Sequence, residues 1–254
     1  MTKMKPKLKL GLTLFVLGFL GILTMLTITL PEGMFPEEMM QLPPTILKIL
    51  ILANPTIFLL ISVVVGTLLF DKVNFKVPVI SSLLKIEQAD TKKIFIEQLK
   101  YGVSLGLLAG ALIMLVVQIY NVFIAEELQA IGNQMELTLA ARFLYGGITE
   151  ELLLRFGVMT LIVWIVFKLT KRLNNTAYWI GIALSTILFA VGHFPAVFGV
   201  VPNPSTLLLS YILIGNSIGG VIFGWLYWKK GLESAIIAHA FAHVAMVSID
   251  AFLN

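Results

Sequence analysis

Continuous apolar runs, unbroken by the period-two alternation of an exposed strand, set the organisation of the chain. A helix crossing about 30 Å of hydrocarbon needs roughly 20 such residues. Seven segments meet that length: Leu10 to Leu30, Ile46 to Phe70, Tyr101 to Ile124, Arg142 to Phe167, Thr176 to Val200, Thr206 to Trp228 and Leu232 to Leu253. Transmembrane β-barrels alternate lipid-facing and lumen-facing residues, which these runs do not. The predicted fold is therefore all-α, a polytopic transmembrane bundle of about seven helices. The first segment follows a lysine-rich start, as a signal peptide would, but it is long and no small-residue cleavage site follows it. It is expected to stay as an uncleaved anchor.

Composition agrees with the bilayer as partner. The 254 residues are 58% hydrophobic and 13% charged, with a mean hydropathy of +0.96, more apolar surface than a soluble domain of this size can bury. The absence of cysteine excludes disulfides, thiolate metal sites and a cysteine nucleophile, leaving oxygen and imidazole for any chemistry.

The net charge of +4 has a topological explanation, so no nucleic-acid partner is expected. Lys3, Lys5, Lys7 and Lys9 precede the first segment, and Lys72, Lys76, Lys85, Lys92, Lys93 and Lys100 follow the second. Lys168, Lys171 and Arg172 follow the fourth, and Lys229 and Lys230 follow the sixth. The intervening connections carry Glu32, Glu37 and Glu38, then Glu126, Glu127 and Glu136, then the uncharged stretch Pro202 to Ser205. Basic residues mark cytoplasmic connections. The N-terminus is thus expected in the cytoplasm, the C-terminus outside, and the protein as a multi-pass component of the cell membrane.

Two parts are expected. Residues 1–100 hold two transmembrane helices and a long cytoplasmic connection, in which Val79 to Lys100 mixes aliphatics and lysines as an amphipathic interfacial helix would. Residues 101–254 form a second helical unit. Gly102, Gly106 and Gly110, and the pairs Gly215 with Gly219 and Gly220 with Gly224, recur every four residues, a spacing that lets helix backbones approach closely.

Ionisable groups inside a span are costly and mark functional sites. The fourth segment contains Glu150, Glu151 and Arg155. In an α-helix Glu151 and Arg155 share a face and can pair, while Glu150 points about 100° away, a carboxylate without a local cation. Phe189 and His193 lie four apart in the fifth segment, and His239 and His243 four apart in the seventh; these are the only histidines in the chain, and all lie within spans. In a partly dry cavity Glu can pass a proton from water to a leaving group, and imidazole can hold that water or stabilise an oxyanion. A divalent metal such as zinc is the competing account, with Glu150, His193, His239 and His243 as its ligands, although Ala240 after His239 rules out the HExxH motif. Without that account, Glu151 with Arg155 is a packing ion pair, Phe189 plain packing and His243 a hydrogen-bonded core histidine.

The order Glu150-Glu151-x-x-x-Arg155, Phe189-x-x-x-His193 and His239-x-x-x-His243 resembles the CPBP family of intramembrane proteases. That family, also called Abi, includes CAAX prenyl endopeptidases and bacteriocin-processing or immunity proteins. The resemblance covers about residues 140 to 250 and makes 101–254 the expected catalytic core. It implies that Glu150 and His193 activate the attacking water, that Glu151 and Arg155 support the site, and that His239 stabilises the oxyanion. The last position is commonly asparagine in the family, whereas here it is His243, which leaves metal binding and altered activity open.

The expected function is that of an intramembrane endopeptidase, glutamate-type rather than metal-dependent, acting on a membrane-associated peptide, protein or lipoprotein. The alternatives are a non-catalytic scaffold or immunity-type protein on the same fold and, from a third class, a proton-coupled transporter. The transporter lacks the paired broken helices and internal repeat it would need.

Overall fold

Backbone N–H and C=O groups in hydrocarbon must be satisfied within their own segment, and the described spans of this chain do so as helices. The computed structural model describes residues 5–28, 37–134 and 137–253, with no strand among them. The charges assigned above to Lys3, Glu32 and Glu136, and the predicted end of the first span at Leu30, lie outside the described residues. Seven described helices are long and apolar enough to cross a membrane: Pro6–Thr27, Thr45–Val73, Thr91–Gln134, Ala141–Thr170, Asn175–Val200, Thr206–Lys229 and Leu232–Leu253. They are numbered as first to seventh spans below.

Three spans differ from the expected regular helices. The third starts ten residues earlier than Tyr101 and runs on past Ile124, whose φ of −134° and ψ of 35° kink it there. The stretch Val79 to Lys100 is therefore not one interfacial helix. It divides into a short helix Pro78–Leu83, a turn with Lys85 at φ 56°, and the opening turns of the third span, whose entry is capped by Asp90 accepting from the Lys93 amide at 3.1 Å. The reason lies in the seventh span, whose first amides need partners. The Lys76 carbonyl accepts from Leu232 N at 3.0 Å, and Gln98 Oε1 accepts from Ser234 N at 3.1 Å and Ser234 Oγ at 2.6 Å. Glu233 returns the contact by accepting from Ile80 N at 2.9 Å. A division at residue 100 falls inside the third span, and one buried core runs from Leu10 and Leu14 of the first span to Ala238 and Ala242 of the seventh.

The fourth span is wound differently. Over Ala141–Glu150 and again over Leu152–Met159 its hydrogen bonds run from i to i+5, the wide π form that is rare beyond single turns and concentrates at functional sites. Two hydroxyls follow the same register: Thr149 donates to Leu144 O at 3.4 Å and Thr160 to Arg155 O at 3.2 Å. The fifth span is broken. Its first helix, Asn175–Val191, ends at Gly192, and a second, Phe194–Val200, restarts with His193 as its N-cap residue and Pro195 in its first turn, where a missing N–H costs nothing.

The fourth span sits at the centre, with the first and seventh spans against its 141–150 half and the second against 152–159. Glycines set these distances. Thr149, fully buried, donates to Gly18 O of the first span at 2.8 Å. A methyl on Gly157 would come within 2.5 Å of Ser62 Cβ of the second span, and one on Gly18 within 2.9 Å of Leu152. Gly102, Gly106 and Gly110 press the third span onto the seventh, where added Cβ atoms would stand 2.6 Å from Ile237, 2.8 Å from Ala238 Cα and 2.7 Å from Ala245. Gly220 and Gly224 do the same for the sixth span against Thr186 and Ile182. Gly215 and Gly219 do not. A Cβ on Gly215 meets nothing within 4 Å, and the nearest neighbour of one on Gly219 is the Phe223 ring of its own helix. Both face a cavity, so the expectation of packing holds for one sixth-span pair and not the other.

The contrast is testable by thermal unfolding in detergent. Gly106→Leu should lower stability by about 1–3 kcal/mol through overpacking, whereas Gly215→Ala should change it by less than about 0.5 kcal/mol.

Candidate active site

A carboxylate fully removed from both water and headgroups persists only if charge and hydrogen bonds compensate it. Glu151 is such a group, its side chain 1% exposed, beside Arg155 at 0%. Arg155 Nε stands 3.3 Å from Glu151 Oε2, and the guanidinium carbon lies 5.5 Å from the centroid of the Phe189 ring. None of the guanidinium nitrogens makes a hydrogen bond to a described residue. Arg155 is held by charge and by an aromatic face rather than by a bidentate fork. The expected pairing of Glu151 with Arg155 is present, although the helix carrying it is of the wider form.

The other oxygen of Glu151 determines the state of a histidine on the seventh span. His239 Nδ1 is 2.9 Å from Glu151 Oε1. A carboxylate only accepts, so Nδ1 carries the proton and donates, which turns Nε2 the other way, 3.8 Å from Glu150 Oε2. His239 is clamped flat as well, stacked on Phe223 with centroids 4.8 Å apart and on His243 at 5.2 Å.

His193 is oriented by the break in its span. An uninterrupted α-helix would occupy the Phe189 carbonyl with the amide of residue 193. Here that amide turns to Ala190 O, and the His193 imidazole takes the vacated carbonyl, Nδ1 to Phe189 O at 2.8 Å. A carbonyl can only accept, so Nδ1 is protonated and neutral His193 presents Nε2 as a lone pair. Phe189 also meets the His193 ring edge-on at 4.8 Å and the His239 ring at 6.1 Å. Its role is thus more than packing: its carbonyl orients one imidazole, and its ring packs against both and underlies Arg155.

Glu150, His193, His239 and His243 line one cavity of about 470 Å³. Glu151 and Arg155 do not reach it and act from behind His239. Much of the wall is apolar, including Met25, Ile113, Leu137, Phe223 and Met246, and Gly215 and Gly219 leave one side bare. Gly146 lies beside the two seventh-span imidazoles: a methyl there would stand 2.9 Å from His243 Nε2 and 3.5 Å from His239 Nε2. His243 Nδ1 is buried without a hydrogen-bond partner among the described residues. Of the residues predicted from sequence, all six converge, four on the cavity and two behind it. Among the described residues, no group of three His, Asp or Glu side chains is placed to hold one metal ion. Glu151 takes His239 Nδ1 and leaves Nε2 available.

Four polar residues of the cavity fall outside those predicted from sequence: Arg142, Tyr145, Tyr211 and Asn216. Asn216 spends one amide hydrogen on Ile212 O at 2.9 Å, and the rule that flags polar groups within spans would have found it. Tyr145 lies five residues before Glu150, which in an α-helix is about 140° away, so α-helical counting hides it.

Residues 132–245 match the family model described as type II CAAX prenyl endopeptidase Rce1-like. The matched stretch includes every residue of the cavity constellation described above except those contributed by the first and third spans and by the end of the seventh. No curated protein and no solved structure matched the chain.

Removing one member of a buried pair strands the other. Arg155→Leu is expected to lower unfolding stability by about 3–5 kcal/mol, and adding Glu151→Gln to it should recover part of that loss, both read by thermal unfolding in detergent.

Proposed function

Starting from residues 132–245 as an Rce1-like domain of a multi-pass membrane protein, consistent with the CPBP family, we propose that the chain is a glutamate-type intramembrane endopeptidase. The observation that carries this is the pairing in one cavity of a carboxylate, Glu150, with two imidazoles whose Nδ1 protons are committed elsewhere.

In this proposal Glu150 is the general base and His193 its partner. His193 Nε2 accepts a hydrogen bond from a water molecule, and Glu150 takes that water's proton as its oxygen bonds to the carbonyl carbon of the scissile peptide. His239 stabilises the resulting oxyanion. With its Nδ1–H given to the Glu151 carboxylate, it donates from Nε2 when that nitrogen is also protonated, and Glu151 balances the charge. Arg155 in turn fixes Glu151. The tetrahedral intermediate collapses as the C–N bond breaks and Glu150 returns the proton to the leaving nitrogen. His243 neighbours His239 and supplies a donor where the family's pattern has asparagine. The largely apolar wall suits a membrane-associated peptide, protein or lipoprotein as substrate.

We further propose that the N-terminus is cytoplasmic, because Lys5, Lys7, Lys9 and the lysines of residues 71–100 share one side. The cavity draws on the opposite ends of the spans: Met25 and Ile28 at the end of the first, Arg142 near the start of the fourth, His193 past the middle of the fifth, and Tyr211 near the start of the sixth. The site then lies in the outer half of the cell membrane and acts on segments presented from that side.

The test is cleavage of a panel of membrane peptides and lipopeptides by purified protein in liposomes, with and without a chelator. Glu150→Gln and His193→Ala should each lower kcat by about 10² to 10⁴-fold, and chelation should leave the wild type unaffected. Chelator sensitivity would transfer the mechanism to a metal. A folded wild type that binds peptides of the panel and cuts none, or variants that cut equally well, would leave a non-catalytic scaffold on this fold. Reporter fusions at the N-terminus should report the cytoplasm; an external N-terminus would invert the site.

A further inference from the structure

The protease reading leaves the oxyanion with donors that depend on protonation. Neutral His239 has committed its proton to Glu151 and has none at Nε2, and no described residue bonds His243 Nδ1 to select its tautomer. A neutral phenol always carries its hydrogen. Tyr145 lines this cavity, with its partly buried ring packed against the core.

The winding of the fourth span brings Tyr145 to the right face. In an i→i+5 helix a turn takes between four and five residues, so Tyr145 and Glu150 come round to one side. Both side chains line the same cavity. The adjacent residue, Gly146, abuts the Nε2 atoms of His239 and His243, so Tyr145 stands on the stretch of wall that faces both imidazoles. An amphipathic side chain with its ring packed against the core and its hydroxyl at such a wall can serve as a donor to charge that develops there.

We propose, resting on the protease reading above, that Tyr145 is a further catalytic residue whose hydroxyl donates a hydrogen bond to the oxyanion of the tetrahedral intermediate formed beside Glu150. No proton leaves the phenol in this role. The water proton still travels through Glu150 to the leaving nitrogen, and Tyr145 stabilises only the charge that develops on the carbonyl oxygen. The interaction is made in the transition state and not with the resting carbonyl, so it belongs to kcat rather than KM.

Tyr145→Phe keeps the ring and removes the donor. In liposomes, on whichever quenched fluorogenic peptide of the panel the wild type cleaves, the variant should lose about 10²-fold in kcat with KM unchanged. It should also lose a similar factor of affinity for a peptidyl phosphinate, an anionic mimic of the tetrahedral intermediate, measured by titration calorimetry. Wild-type kcat and phosphinate affinity in Tyr145→Phe, alongside inactive Glu150→Gln, would overturn this assignment and leave the protease reading standing. A raised KM with unchanged kcat would likewise overturn it, since the hydroxyl would then bind only the ground state. If Glu150→Gln cleaves as well as the wild type, or the wild type cleaves nothing, the protease reading falls. The phosphinate then decides alone: a 10²-fold loss of affinity in Tyr145→Phe supports an oxyanion-binding hydroxyl, and equal affinity rejects it.

Discussion

The buried carboxylate of Glu151 is the constraint on which the site depends. Withdrawn from water and headgroups, it must be met by cations and donors from within the bundle, and it receives Arg155 on one oxygen and His239 Nδ1 on the other. That pairing ties the fourth span to the seventh at the depth of the cavity and fixes which nitrogen of His239 faces it. Buried ion pairs contribute little net stability compared with apolar packing, so this one is better understood as specifying an arrangement. The arrangement it specifies is an imidazole aimed at Glu150.

A second device does the same for His193 without any charge. The fifth span stops at Gly192, and the interruption frees a carbonyl that an unbroken helix would have used. An unsatisfied carbonyl in the membrane is costly, so the imidazole that fills it is held firmly. Both histidines are thereby turned with Nδ1 outward to a structural acceptor and Nε2 left for chemistry. Helix breaks of this kind are tolerated at membrane depth where they line a cavity, and this one does.

The remaining geometry follows from how closely helices approach. Gly102, Gly106 and Gly110 bring the third span against the very helix that carries His239 and His243, while Gly157 and Gly66 seat the second span on the 152–159 half of the fourth. The lysine-rich connection from residue 71 to residue 100 caps the first turn of the seventh span through Lys76 O and Gln98, five or more residues before the imidazoles it helps to hold in register. The first two spans are thus part of the framework of the site, and Met25 and Ile28 contribute to its wall.

The apolar runs alone determine the number of spans, because crossing hydrocarbon imposes a length that no other local pattern mimics. The sixth and seventh helices fall within a residue of where the runs place them, and the rarity of ionisable groups inside spans is enough to single out Glu150, Glu151, Arg155 and the three histidines. What the pattern could not carry is whatever departs from the α-helical period. Tyr145 comes round to the face of Glu150 only because the fourth span is wound i→i+5, and His193 meets Phe189 O only because the fifth span breaks before it. Gly215 and Gly220 look alike along the chain, yet one borders empty space and the other Thr186. Hydropathy depends on which residues are present, and it is blind to helix winding, to breaks and to which neighbour a face meets. Those are decided by packing among spans distant in sequence, and that packing exists only in the folded bundle.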